Sequence, residues 1–87
     1  MTHDEIARQL AQYIMDEVAA TRPAAPPAPD FPIIESGLVD SLGLFKLIAF
    51  IEERLKVKIA PEDIVLENFA TIGSIMVLVK KQLVQKR

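Results

Sequence analysis

Apolar residues at Ile6, Leu10, Ile14 and Val18 recur at every fourth position, the stripe of an amphipathic helix, and Tyr13 widens it. Thr2 followed three residues later by Glu5 matches a capping box. The pattern therefore predicts a helix over about residues 3–20. The periodicity then stops. The stretch TRPAAPPAPDFP holds five of the six prolines, which remove backbone donors and push preceding residues out of the α region. Residues 21–39 read as a long, partly stiff loop pinned at its far end by Phe31, Ile33 and Ile34. A proline-rich ligand for an SH3-type domain is the other reading of such a stretch, and loops this long often belong to a binding surface.

A second helix is predicted over about 41–55. Its apolar set is broad: Leu42, Leu44, Phe45, Leu47, Ile48, Ala49, Phe50 and Ile51, broken only by Gly43 and Lys46. One buried face needs a stripe of roughly 100°, so this helix is either nearly surrounded or offers apolar surface to a partner. Pro61, Glu62 and Asp63 suit the first turn of a short helix over about 61–66. Thr71 caps a last helix over about 72–85, with Ile72, Ile75, Met76, Val79 and Leu83 toward the core. The expected fold is all-α, a small four-helix bundle of three main helices and one short one, with the Pro-rich loop between helices 1 and 2. At 87 residues the chain reads as a single domain, 1–87, without room for a second core.

Composition narrows the chemistry. Half the residues are apolar, enough for a core, and there is no cysteine, which removes disulfides and thiol chemistry on the chain itself. No apolar run approaches the roughly 18 residues of a membrane span. The start MTHDEIARQL is acidic and amphipathic and resembles neither a secretory signal nor a basic transit peptide; a cytoplasmic monomer is the expectation. The net charge of −2 is unevenly spread, with Lys80, Lys81, Lys86 and Arg87 gathered at the end of the last helix. Cations there complement the helix macrodipole, and no basic face interleaved with aromatics marks a nucleic-acid binder. His3 is the only histidine, so a Ser-His-acid triad and a zinc site both lack members. The three glycines are too dispersed for a phosphate-binding loop. Glu52–Glu53 and Glu62–Asp63 are adjacent on helices and diverge. No catalytic residue and no metal ligand set emerges, and an autonomous enzyme is the poorest reading.

What remains is GLVDSLGLFKL, residues 37–47. Asp40 is a favoured N-cap and Ser41 an ordinary first helical residue, and a bare Asp-Ser-Leu occurs widely by chance. The surroundings are more specific. Gly37, Asp40, Ser41 and Leu42, in the form ESGLVDSL, together with the downstream IAFIEERLKVKIAPEDI and FATIGSI, resemble the acyl carrier protein family, which includes aminoacyl and peptidyl carriers. The likeness covers about residues 33–85. The resemblance implies that a phosphopantetheinyl transferase attaches 4′-phosphopantetheine to Ser41, with Asp40 both capping the helix and helping the transferase recognise the site. It also implies further partners: a ligase or synthetase that loads an acyl or aminoacyl group, and enzymes that process it downstream.

The chain departs from the family's fatty-acid-synthesis members, in which the exposed face of the second helix is strongly acidic. Here Gly43 and Lys46 stand where acids are common, and Leu44, Phe45 and Ala49 offer apolar surface, with Glu52 and Glu53 retained. These seven residues are the expected partner interface, and the pathway expected is a specialised one rather than bulk fatty-acid synthesis. Gly43 is also expected to loosen the first turn of its helix. Leu47, Ile48, Phe50, Ile64 and Val79 would border any acyl cleft, and Phe50 would narrow it toward short or polar cargo. The alternative function is a small helical adaptor that binds a partner through the apolar face of helix 2.

Overall fold

The structure, a computed structural model, describes residues 3–19 and 23–85. Thr2 of the predicted capping box lies outside these residues, as do Lys86 and Arg87 of the basic end. Among the described residues the chain is all-α, with three main helices and one short one.

Helix α1, His3–Tyr13, opens with Asp4 and Glu5 at its positive end. It continues as one π-helical turn over Ile14–Val18, closed by the Ala19 N–H donating to the Ile14 carbonyl at 2.7 Å. Ala19 is extended (ψ 132°), so the helical backbone stops at Val18, short of residue 20. The wider turn keeps both Ile14 and Val18 buried while the chain leaves the bundle.

The Pro-rich segment is fastened at defined points. The Ile33 N–H donates to the Ala70 carbonyl at 2.9 Å, the Val39 N–H to the Ile33 carbonyl at 2.8 Å, and the Gly73 N–H to the Pro29 carbonyl at 2.9 Å. Ile33 and Val39 are buried and Ile34 is half-buried. Of the residues expected to pin this segment, Ile33 does so, while Phe31 is 40% exposed; Val39 is the second buried anchor at the far end. The loop turns back through Gly37, whose φ of +85° lies in the left-handed region that favours glycine.

Helix α2, Ser41–Leu55, buries Gly43, Leu47, Ile48 and Ile51 and ends at Lys56 in the left-handed conformation (φ 56°). Beyond it, Val57 and Ile59 return to the core. The Ile59 N–H donates to Glu52 Oε2 at 2.9 Å and ties this return to the helix.

The expected short helix over 61–66 resolves into two pieces. Pro61–Asp63 forms a 3₁₀ turn and Leu66–Phe69 a one-turn helix, α3. Val65 between them is extended, and Asn68 Nδ2 bridges the break by donating to the Asp63 carbonyl at 2.8 Å. The break lets Phe69 enter the core, where it is fully buried.

Helix α4, Ile72–Gln85, buries Ile72, Ile75, Met76, Leu78 and Val79. Leu83, expected in the core, is 40% exposed, because the last turns of α4 run past the packed part of the bundle. No helix among the described residues is long and apolar enough to cross a membrane.

Candidate functional site

The start of α2 follows from its local sequence. Asp40 is extended (φ −96°, ψ −174°), and its Oδ1 accepts the Gly43 N–H at 2.8 Å. Its carbonyl accepts the Leu44 N–H at 2.8 Å, the first bond of the helix. One otherwise orphaned amide of the first turn is thereby satisfied, worth about 0.5–2 kcal/mol. Ser41 follows as the first helical residue and is exposed. Its hydroxyl thus stands at a helix N-terminus, where free amides and the macrodipole favour an anion.

The three serines of the chain differ in what holds them. Ser36 Oγ accepts the Leu38 N–H at 3.3 Å and donates to the Ile33 carbonyl at 3.5 Å, so its hydroxyl closes a turn. Ser74 is half-buried, with its Oγ 3.1 Å from Thr71 Oγ1. Ser41 alone combines exposure with the first position of a long helix.

Beside Ser41 lies a groove of about 290 Å³ lined by Ile34, Gly37, Val39, Asp40, Leu44 and Leu66. Its walls come from the loop, the first turns of α2 and the start of α3. Sequence reasoning placed Gly37 and Leu44 near the motif but missed the roles of Ile34, Val39 and Leu66. Val39 sits inside the quoted motif and its apolar neighbours were visible. Leu66 belongs to a one-turn helix too short to carry a periodic pattern.

The expected interface divides. Of the seven residues, Phe45 is 67% exposed and Lys46, Ala49 and Glu53 are exposed beside it, and Leu42 of the Asp-Ser-Leu motif, outside the expected seven, is equally exposed. Leu42, Phe45 and Ala49 lie three and four residues apart and share one face of α2. Three residues do not join that face. Leu44 turns to the groove, Glu52 is engaged with the Ile59 amide, and Gly43 is buried. A Cβ at Gly43 would stand 2.7 Å from Val18 Cγ1 and 3.3 Å from Asp40 Oδ1. Gly43 is therefore there for space under the end of α1, and the expectation of a loosened first turn is replaced by one of tight packing.

Phe50 is also elsewhere than expected. Its ring stacks on Tyr13 with centroids 4.0 Å apart, and the Arg54 guanidinium carbon lies 5.4 Å from its centroid. It packs on Tyr13 of α1 and is not among the residues that line the groove beside Ser41. Among the described residues no group of His, Cys, Asp and Glu is arranged to hold a metal ion.

Comparison with known proteins adds two findings. A family model described as a phosphopantetheine attachment site matches residues 8–78. A probable acyl carrier protein, PigG of Serratia sp. (strain ATCC 39006), is 38% identical over 50 residues, covering 58% of this chain and 58% of that protein. The match thus spans somewhat more than half of that relative's length.

Proposed function

The chain belongs to the phosphopantetheine attachment-site family, and from that premise we propose that Ser41 is its attachment residue and that the protein carries an acyl or aminoacyl intermediate. The family's covalent group is 4′-phosphopantetheine, and its members are carriers rather than enzymes. The observation that carries the assignment is the exposed Ser41 at the N-terminus of α2, next to the groove, while Ser36 and Ser74 have their hydroxyls engaged locally.

The residues present fit the group. An exposed hydroxyl at a helix N-terminus receives a phosphodiester anion favourably. The groove lined by Ile34, Val39, Leu44 and Leu66 offers apolar cover beside it. In the modification the Ser41 Oγ attacks the β-phosphorus of coenzyme A and a new O–P bond forms. The bond from that phosphorus to the bridging oxygen breaks, and adenosine 3′,5′-bisphosphate leaves. The hydroxyl proton passes to a base of the transferase, which also supplies the Mg²⁺. That division of labour suits a chain whose described residues assemble no metal site. When bound, the arm supplies a terminal thiol that holds cargo as a thioester.

Partner enzymes dock on the face of Leu42, Phe45 and Ala49, edged by Lys46 and Glu53. Its apolar centre favours partners with apolar docking surfaces over enzymes built to read an acidic helix, since charge mainly sets encounter rate and partner choice. A specialised pathway fits that surface, and the small groove fits short cargo.

Intact-mass measurement after incubation with coenzyme A, Mg²⁺ and a promiscuous phosphopantetheinyl transferase tests the assignment. The expected result is a gain of one phosphopantetheine in the wild type and none in Ser41→Ala. An unmodified wild type, or a modified Ser41→Ala, overturns it.

A further inference from the structure

The first turn of α2 is not set by Asp40 alone. A Cβ at Gly43 would meet two groups that close on the same point. Val18 Cγ1 would be 2.7 Å and Asp40 Oδ1 3.3 Å from a Cβ there, and the Val18 carbonyl oxygen would be 3.4 Å away. The first distance is shorter than side-chain carbons tolerate, and Val18 is β-branched, with little rotamer freedom in which to retreat. The second atom is the very oxygen that accepts the Gly43 N–H. Anything that enlarges residue 43 must displace either Val18 or the cap.

Val18 reaches this point because of how α1 ends. The π turn over Ile14–Val18, closed by the Ala19 N–H on the Ile14 carbonyl, widens the last turn and presses it against α2. Ile14 and Val18 are both buried there. Turns of this kind are uncommon and often stand at functional sites. Their coincidence with a glycine notch three residues after the cap links α1 directly to the Asp40–Ser41 turn.

We propose that Val18 and Gly43 are a positioning pair: the end of α1 seats the first turn of α2 and so fixes the orientation in which Asp40 and Ser41 are presented to the transferase. The inference rests on Ser41 being the attachment residue. It assigns Val18 and Gly43 no contact with coenzyme A; they act through the Asp40 cap. A reacting group displaced by about 1 Å can lose on the order of 10²-fold in rate, so a clash of this size is sufficient to be read kinetically.

The test is a compensating pair of substitutions, assayed as kcat/KM of the transferase for the carrier by intact mass, at a temperature where circular dichroism finds every variant folded. Helix propensity alone would make Gly43→Ala neutral or favourable. The positioning pair instead predicts a loss of about tenfold or more in Gly43→Ala, expressed mainly in kcat, since a misaligned hydroxyl costs orientation rather than docking. Val18→Ala empties the notch and should slow modification about threefold, while the double variant Val18→Ala/Gly43→Ala refills it from the other side and should return to within about twofold of wild type. Hydrogen exchange of the Gly43 amide gives a second readout: it should accelerate in both single variants and recover in the double. Gly43→Ala modified at the wild-type rate, or a double variant as slow as Gly43→Ala, overturns the pair. If Gly43→Ala does not fold, unchanged exchange and rate in Val18→Ala overturn it equally. Failure of the wild type to be modified would instead strike at Ser41 as the attachment residue.

Discussion

Two helix starts in this small bundle are built alike and used differently. At α2 the Asp40 carboxylate accepts the amide of the third helical residue, Gly43; at α4 the Thr71 hydroxyl accepts the amide of the third helical residue, Ser74, at 3.0 Å. Each start contains one serine and one glycine. At α4 the loop lies over the turn, with the Pro29 carbonyl taking the Gly73 N–H, and the Ser74 hydroxyl rests against Thr71. At α2 the glycine is the covered residue and the serine is the open one. A capped helix start is a common device worth about 1 kcal/mol. On the proposed reading, what sets the Ser41 start apart from a purely structural cap is that its hydroxyl is left to solvent.

The largest expected difference between the two starts is in the modification itself. Ser41→Ala should abolish the phosphopantetheine gain, while Ser74→Ala should leave it at the wild-type level. A loss in Ser74→Ala with the fold intact would break the contrast, because it would place chemistry at the covered start.

Ile33 joins the two starts. Its amide bonds the Ala70 carbonyl just before α4, its carbonyl takes the Val39 amide just before α2, and its side chain is fully buried. Ile33→Ala should cost about 2–5 kcal/mol, seen as a fall in Tm of roughly 10 °C or more. Because both starts hang on this residue, amide exchange should accelerate at Gly43 and at Ser74 together. Acceleration at one start alone would show that the loop holds them separately.

The caps come next. Asp40→Ala and Thr71→Ala should each cost about 1 kcal/mol in denaturant unfolding. Only the first should slow modification. Asp40→Asn separates two contributions at α2, since it keeps a side-chain acceptor for the Gly43 amide and loses the charge. Stability should then fall by no more than about 0.5 kcal/mol, asparagine being nearly as good a cap. A modification rate that drops with it would report recognition of the carboxylate by the transferase; a rate that holds would leave Asp40 a cap only.

Both helix starts were legible in the chain because caps are local: Asp40 and Thr71 precede apolar runs, and Asp40, Ser41 and Leu42 sit in a recognisable motif. What was not legible depends on partners distant in sequence. The π turn at Ile14–Val18 keeps the four-residue apolar spacing of an ordinary helix, so nothing in the pattern announces it. Gly43 reads as a weak point of a helix until Val18 is placed above it. Phe50 looked like a wall of a cleft, yet Tyr13 and Arg54, from α1 and the next turn of α2, are the neighbours that hold its ring. Leu83 continues the apolar stripe of α4 beyond the point where the bundle has anything left to pack against it. In each case the residue type was read correctly and its neighbour was the missing quantity.

The smallest expected effect is the most discriminating for the comparison. Gly73 is the glycine of the α4 start, one position earlier in its helix than Gly43, and a Cβ there would meet the Pro29 carbonyl oxygen at 3.2 Å and Thr71 Oγ1 at 3.6 Å, a crowding the loop can relieve by moving a few tenths of an ångström. Alanine gains about 0.5–1 kcal/mol over glycine within a helix, and that gain offsets a crowding cost of similar size. Gly73→Ala should therefore change stability by less than about 1 kcal/mol, in either direction, and leave the rate of Ser41 modification unchanged. Denaturant unfolding and the transferase assay check the two halves. A clear loss of stability would mean that the Pro29–Gly73 contact is rigid and that the loop clamps α4 as firmly as α1 clamps α2. A slowed modification with stability intact would mean that displacement at α4 travels through Ala70, Ile33 and Val39 to the Asp40 turn, making the two starts one coupled unit rather than two separate solutions to the same capping problem.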